Sequence, residues 1–371
     1  MRICFVTPYS PKVVGGVGTF IRELCQRLKK RGIDYVILTK DYDKNNNSTE
    51  QIIEIPISDL RYVRSLIFTL KMILFIFKNS RQIDVLHLQT SNHLLAPIVI
   101  IGKILRIPIL TTIHGKIPYG KSFPLKQVTI IGEWVILTFS DQIVYVSEDT
   151  YKYYKKRGLV IQNGVNIAKY YLDKEQRKRM RLKYNVENSF IILFVGRLTF
   201  TKGIYELLEA LSKLKKSESI NFRLVNVGLV KDQDIDSYLE AVERLDLKQN
   251  IINVQQQNDI SGFYNMGDVF ILPTYTEGLP YALLEAMASE MVVIASDVGD
   301  ISAVIENGQN GFLIKPRNVE DILEKLVWCI NNQEASKILG KNARNTVESN
   351  FNFDQMVESY LNVYKSCIQK K

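Results

Sequence analysis

Short apolar runs alternate with longer segments of helical period twice along this chain, and that alternation leaves few folds open. In the first half ICFVTPY reads as a strand. A glycine-rich loop, VVGGVGTF, then leads into the helix TFIRELCQRLKKRG, which ends at Gly32 after a basic last turn. The strands DYVILTK, DVLHLQ, PILTTIHG and QIVYVS follow, with helices near APIVIIGKILR and VTIIGEWVILTFS. Between 163 and 188 the pattern lapses into a charged stretch, which reads as a connection with one exposed helix. It then restarts with the strands FIILFVGR, NFRLVNVG, IINVQ, VFILPT and VVIASD, again with helices between them. Alternation of this kind predicts an α/β protein of two doubly wound, Rossmann-like domains, each a parallel sheet with helices on both faces. Ligands of such sheets bind at the carboxyl ends of the strands, so two of them facing one cleft is the expected layout. The expected boundaries are 1–170 for an N-terminal domain and 171–188 for the connection. A C-terminal domain would then span 189–352, with a last helix over 353–371 crossing back.

Charge is unevenly placed. Residues 1–185 hold 30 Lys and Arg against 14 Asp and Glu, a net of +16, whereas the whole 371-residue chain carries +9. A basic first half suggests an anionic partner. No nucleic-acid-binding signature is present, which leaves an anionic membrane surface. The most lipid-like stretch is RYVRSLIFTLKMILFIFKNSRQ, residues 61–82. Its apolar core is too short to span a bilayer, which takes about 20 residues. It reads either as a helix buried between strands or as one resting in a membrane interface. The N-terminus reads as a first strand and not a signal peptide. Four scattered cysteines with no CxxC spacing suggest reduced thiols in the cytoplasm.

The chemistry concentrates in EGLPYALLE. Glu277 and Glu285 lie eight positions apart, with Gly278, Leu279, Pro280, Tyr281 and Leu283 between them. Pro280 suits a first helical turn, whose N–H groups can receive a phosphate. Carboxylates accept hydrogen bonds from vicinal hydroxyls, so the two acids could hold the two polyol ends of a nucleotide diphosphate-sugar. On spacing alone, a solvated helix face remains open.

With LLEAMA following, this segment resembles the signature of the retaining glycosyltransferases of family 4, which have the two-domain GT-B fold. The resemblance implies that Glu277 contacts the donor sugar and Glu285 the nucleotide ribose. VGRLTFTKG, residues 195–203, is similar to the family's GR…KG segment, which implies that Arg197 and Lys202 clamp the donor diphosphate. It is not a Walker A loop, which would need Gly at Thr201 and Ser or Thr at Gly203. GGVGTF matches the family's glycine loop, so Gly15 and Gly16 would approach diphosphate or acceptor. TTIHG matches its strand ending in His-Gly, so His114 would stand near the donor sugar. Ser147 and Asn163-Gly164-Val165-Asn166 match a further pattern with a mainly structural role. His87 and His93 have no match and read as ordinary residues. One departure concerns local geometry: Glu290 and Val292 occupy positions where the family usually has Gly and Pro.

The resemblance covers nearly the whole chain and implies a retaining, metal-independent hexosyl transfer. The donor would be a nucleotide diphosphate-sugar, most often a UDP-sugar. The acceptor would be a glycan or lipid-linked molecule, as in surface polysaccharide or glycolipid biosynthesis. No cofactor is implied, and no protein nucleophile if the leaving diphosphate deprotonates the acceptor. The enzyme would be cytoplasmic, peripheral at the inner membrane face. The DxD pairs 41/43, 232/234 and 234/236 read as surface acids and not as a metal site. A nucleotide-sugar epimerase of the same architecture, and a non-catalytic nucleotide-sugar-binding member, are the alternatives.

Overall fold

The computed structural model describes all residues except 9, 11, 13–14, 42–50, 57–63, 91–92, 116–122, 156, 218–219, 229–231, 256, 258 and 370–371. The chain forms two compact units, Met1–Asn163 with Asp354–Lys371, and Gly164–Phe353.

The first unit runs β1 (Arg2–Val6), α1 (Gly16–Lys30), β2 (Asp34–Asp41), β3 (Ile52–Pro56), α2 (Arg64–Lys78), β4 (Val85–Leu88) and α3 (Ala96–Ile104). It continues through β5 (Ile109–Ile113), α4 (Phe123–Phe139), β6 (Gln142–Tyr145), α5 (Glu148–Tyr154) and β7 (Leu159–Val160). Among the described residues these strands make one sheet, ordered β3-β2-β1-β4-β5-β6-β7. Every pairing is parallel. Strands such as β4 and β5 are buried at every residue, which is why they read as unbroken apolar runs. The chain leaves β1 toward β2 and β3, then returns to β4 and continues the other way. With right-handed crossovers, α1 lies on one face of the sheet and α2, α3 and α4 on the other.

The second unit runs α6 (Lys174–Lys183), β8 (Phe190–Val195), α7 (Ile204–Ser217), β9 (Phe222–Val227), α8 (Asp232–Arg244), β10 (Ile251–Val254) and α9 (Ser261–Met266). Next come β11 (Val269–Leu272), α10 (Tyr281–Ala288), β12 (Val292–Ser296), β13 (Phe312–Ile314), α11 (Val319–Asn331) and α12 (Gln333–Asn350). Its described strands form a parallel sheet ordered β10-β9-β8-β11-β12-β13. Direction reverses between β8 and β11, and their carboxyl ends flank the crevice where such sheets take ligands.

The last helix, α13 (Phe353–Gln369), belongs from Asp354 onward with the first unit. Arg27 Nε of α1 donates to Asp354 Oδ1 at 3.2 Å, and Arg31 pairs with Glu358 at 3.0 Å. Buried His87 of β4 is held between Tyr364 Oη on Nδ1, 2.7 Å, and Thr112 Oγ1 on Nε2, 2.8 Å. Its role in this helix's docking is structural.

Residues 171–188 are tied into the second unit and do not form a separate connection. Asp173 caps α6, and Arg177 and Arg181 both pair with Asp268 at the foot of β11. Just upstream, Val165 N–H donates to Phe351 O at 2.7 Å. The charged composition of this stretch hid these anchors, because their partner lies some ninety residues away.

The unusual residue at the end of α10 keeps the turn that a glycine would make. Glu290 sits at φ 60, and Met291 N–H closes onto Ala286 O at 3.1 Å. An L residue there costs about 1–2 kcal/mol, and glycine's extra freedom in the unfolded chain cancels part of that gain. Glu290→Gly is therefore expected to stabilise by about 0.5–1 kcal/mol, read as a higher urea midpoint. A lower midpoint would contradict this account of the turn.

Candidate functional site

Two loops at the carboxyl ends of β8 and β11 carry Lys202 and Glu277, and glycines let them close on each other. Gly203 has φ 69, and a Cβ there would lie 1.9 Å from Pro273 O. Gly299 has φ 58, and its Cβ would lie 1.9 Å from Glu277 O. Tyr275 N–H and Thr274 Oγ1 both donate to Thr201 O, at 2.9 and 3.1 Å. Asp300 N–H donates to Gly278 O at 3.1 Å. With both loops so pinned, Lys202 and Glu277 form an ion pair whose side chains are only 19% and 18% exposed. Burial, and next the Arg197 guanidinium, lower the Lys202 pKa to about 8 in spite of that partner. Arg197 itself is exposed at the end of β8. The result is a concentration of positive charge that another anion would relieve.

The helix α10 starts one turn of loop further on. Pro280 is its N-cap, no side chain caps it, and its first-turn N–H groups point out of the helix start. Glu285 lies about 6 Å along the axis from Tyr281 at 1.5 Å per residue. It is 6% exposed and accepts a 2.7 Å hydrogen bond from the Tyr264 hydroxyl. Burial, and next the neighbouring carboxylate, push the Tyr264 pKa well above its ordinary value, so the phenol stays a donor. Leu279 and Leu283 are buried in the core, so any ligand contact from them is through backbone. Tyr281 stacks on Phe353 with ring centroids 6.0 Å apart.

The other expected residues stand in the first unit. Gly15 is the N-cap of α1 and Gly16 its first residue. The backbone at Gly15 is extended, and a Cβ there would meet nothing within 4 Å, so no packing demand requires glycine. The His114 ring lies edge-on to Phe20 of α1, with centroids 4.9 Å apart. Its Nε2 is 2.8 Å from Gln89 Oε1, and burial lowers its pKa to about 3. The imidazole is therefore neutral near pH 7. Ser147 caps α5, accepting from Thr150 N–H at 3.1 Å. His93 lies 3.4 Å from Thr129 Oγ1 and has no further role here. Sequence reasoning missed Gln89 and Tyr264; the one signal for either is a polar residue ending the buried strand DVLHLQ.

The side chains of residues 41, 43, 232 and 234 lie outside the described residues, while Asp236 is exposed. Among the described residues no group of three His, Cys, Asp or Glu could hold a metal ion.

Two family models account for most of the chain. One, glycosyltransferase family 4, matches residues 14–169, and the other, glycosyl transferases group 1, matches 175–346. The chain belongs to the group 1 glycosyltransferases. Lys202, Glu277 and Glu285 fall within the second match, and His114 within the first. This glycosyltransferase is 27% identical over 383 residues to an uncharacterised glycosyltransferase of Methanocaldococcus jannaschii, covering 98% of each chain. It is 28% identical to a UDP-Gal:alpha-D-GlcNAc-diphosphoundecaprenol alpha-1,3-galactosyltransferase of Escherichia coli. That match spans 57% of this chain and about half (55%) of the relative. Among solved structures, sucrose-phosphate synthase of Thermosynechococcus elongatus superposes with a TM-score of 0.84 at 20% identity, over 100% of both chains. The fold of the transferase is thus GT-B, with two Rossmann-like domains.

Proposed function

We propose that this glycosyltransferase moves a hexosyl group from a UDP-sugar to a glycan or lipid-linked acceptor, with retention at the anomeric carbon and without a metal ion. The observation that carries the reading is the half-buried Lys202–Glu277 pair, one loop away from the start of α10 and from Glu285. The name of the Escherichia coli relative, with its UDP donor and diphosphoundecaprenol acceptor, supports the same class of substrates. Surface polysaccharide or glycolipid assembly is the corresponding setting. It would put the enzyme at the inner face of the cell membrane, reached from the cytoplasm.

In this reading the donor diphosphate takes Lys202 away from Glu277, and Arg197 and the first-turn N–H groups of α10 complete the clamp. Glu277, released, accepts hydroxyls of the donor sugar. Glu285, held by Tyr264, accepts the ribose hydroxyls. As the bond from the anomeric carbon to the diphosphate oxygen breaks, charge grows where the two cations already stand. The acceptor hydroxyl adds to the same face of the sugar and passes its proton to the departing diphosphate oxygen. His114, neutral, can give or take a hydrogen bond but carries no charge to the reaction.

The test is transfer from UDP-hexoses to an undecaprenyl-diphosphate sugar in excess EDTA, with the product's anomeric coupling read by NMR. The expected product keeps the donor's configuration, at a rate EDTA leaves unchanged. An inverted product, or activity abolished by EDTA and restored by Mg²⁺ or Mn²⁺, would contradict the proposal.

A further inference from the structure

The helix layer α2–α3–α4 of the first unit is apolar on the side turned away from its sheet. In α2, Phe68, Met72 and Ile76 are buried, while Leu66, Leu70, Leu74 and Phe77 are 49–64% exposed. The segment thus buries one face and presents a second apolar stripe at spacing i, i+4, i+8, i+11, which is one helical face. On α3, Ile100 and Ile104 are exposed on the outer side, 48% and 69%. On α4, Ile131 and Trp134 are exposed by 58% and 54%, and the Trp134 indole meets the Phe139 ring edge-on. Helix α3 packs against both α2 and α4, so the three stripes lie side by side. Eleven of the 22 exposed large apolar side chains among the described residues fall on these three helices. Scattered exposed apolar residues are ordinary, but a contiguous patch of this size marks an interaction site.

Charge names the occupant. Residues 61–139 hold ten Lys and Arg against two acids. The one acid within the three helices is Glu133, buried and bonded by the Tyr154 hydroxyl at 2.7 Å. Lys71 and Lys78 flank the α2 stripe, and Lys126 stands exposed near the start of α4. An apolar face with an exposed indole and a cationic border, free of exposed acids, fits the interface of an anionic bilayer. None of the three helices reaches the length of a span, and among the described residues no helix is long and apolar enough to cross a membrane.

We propose that the outer face of α2, α3 and α4 lies in the plane of an anionic phospholipid surface, with Leu70, Leu74, Phe77, Ile104 and Trp134 in the acyl boundary and the lysines on headgroup phosphates. This deepens the reading of a lipid-linked acceptor by naming the surface, but the vesicle experiment below needs neither donor nor acceptor.

The chain's two tryptophans make the test direct, because Trp328→Phe leaves Trp134 as the single reporter. With phosphatidylglycerol–phosphatidylcholine vesicles at low salt, Trp134 emission is expected to shift to the blue and to be quenched by brominated acyl chains. Phosphatidylcholine alone, or 1 M NaCl, is expected to weaken binding at least about tenfold. The double variant Leu70→Glu/Leu74→Glu alters only exposed positions. It is expected to lose at least about tenfold in partitioning while keeping the wild-type circular dichroism and thermal transition. Unchanged Trp134 emission with no flotation at low salt would overturn the proposal. So would a stable dimer that shields Trp134 and ignores vesicles, or full binding by the folded double variant.

Discussion

Replacing Lys202 with alanine is expected to lower kcat by about 10²–10³, the cost of deleting one preorganised group that stabilises developing charge. Lys202 is the half-buried cation of the site, and its loss also leaves the Glu277 carboxylate without that partner. The pH dependence separates a chemical role from a structural one. Burial and Arg197 hold the Lys202 pKa near 8, so in the free enzyme its charge is present below that pH and lost above it. The donor diphosphate favours the charged form. Wild-type kcat/KM is therefore expected to be flat through pH 7 and to fall above pH 8. Lys202→Arg, which stays charged throughout, is expected to have lower activity but no fall in that range. A Lys202→Ala enzyme with a near wild-type rate, or a wild-type profile flat to pH 10, would contradict the assignment.

Much of this was legible in the sequence because its signals are local. Alternation of apolar runs with helical segments is enough for two doubly wound sheets, since a strand buried on both faces has no other composition. Glu277, Pro280 and Glu285 lie within nine residues, so one strand, one loop and one helix start bring them together. What was not legible depends on contacts distant in sequence. Tyr264 meets Glu285 from 21 residues away, in a helix whose composition suggests only packing. Gln89 meets His114 across 25 residues and two strands. Arg177 and Arg181 look like solvated charges until Asp268 is in view. The segment 61–82 was open between burial and interface; α2 buries Phe68, Met72 and Ile76 and leaves a second apolar face exposed. Periodicity gives two apolar faces but not which one the sheet covers, and it gave no hint that α3 and α4 extend the exposed one.

The second large effect concerns the nucleoside end of the donor. Glu285 is buried and oriented by the Tyr264 hydroxyl. Hydrogen bonds to a charged group are worth about 1.5–3 kcal/mol each, so Glu285→Ala is expected to weaken nucleoside diphosphate binding about 10- to 100-fold. Tyr264→Phe removes only the orienting bond. It is expected to cost less, about 3- to 10-fold, with kcat at saturating donor nearly unchanged, because it acts through Glu285.

The most direct test of the account is calorimetric titration with UDP in EDTA, wild type beside Glu285→Ala. The account predicts saturable one-to-one binding by the wild type and a large loss of affinity in a variant that remains folded. Equal binding by both proteins, or no binding of UDP, GDP, ADP or dTDP by the wild type, would contradict the placement of the donor at the start of α10.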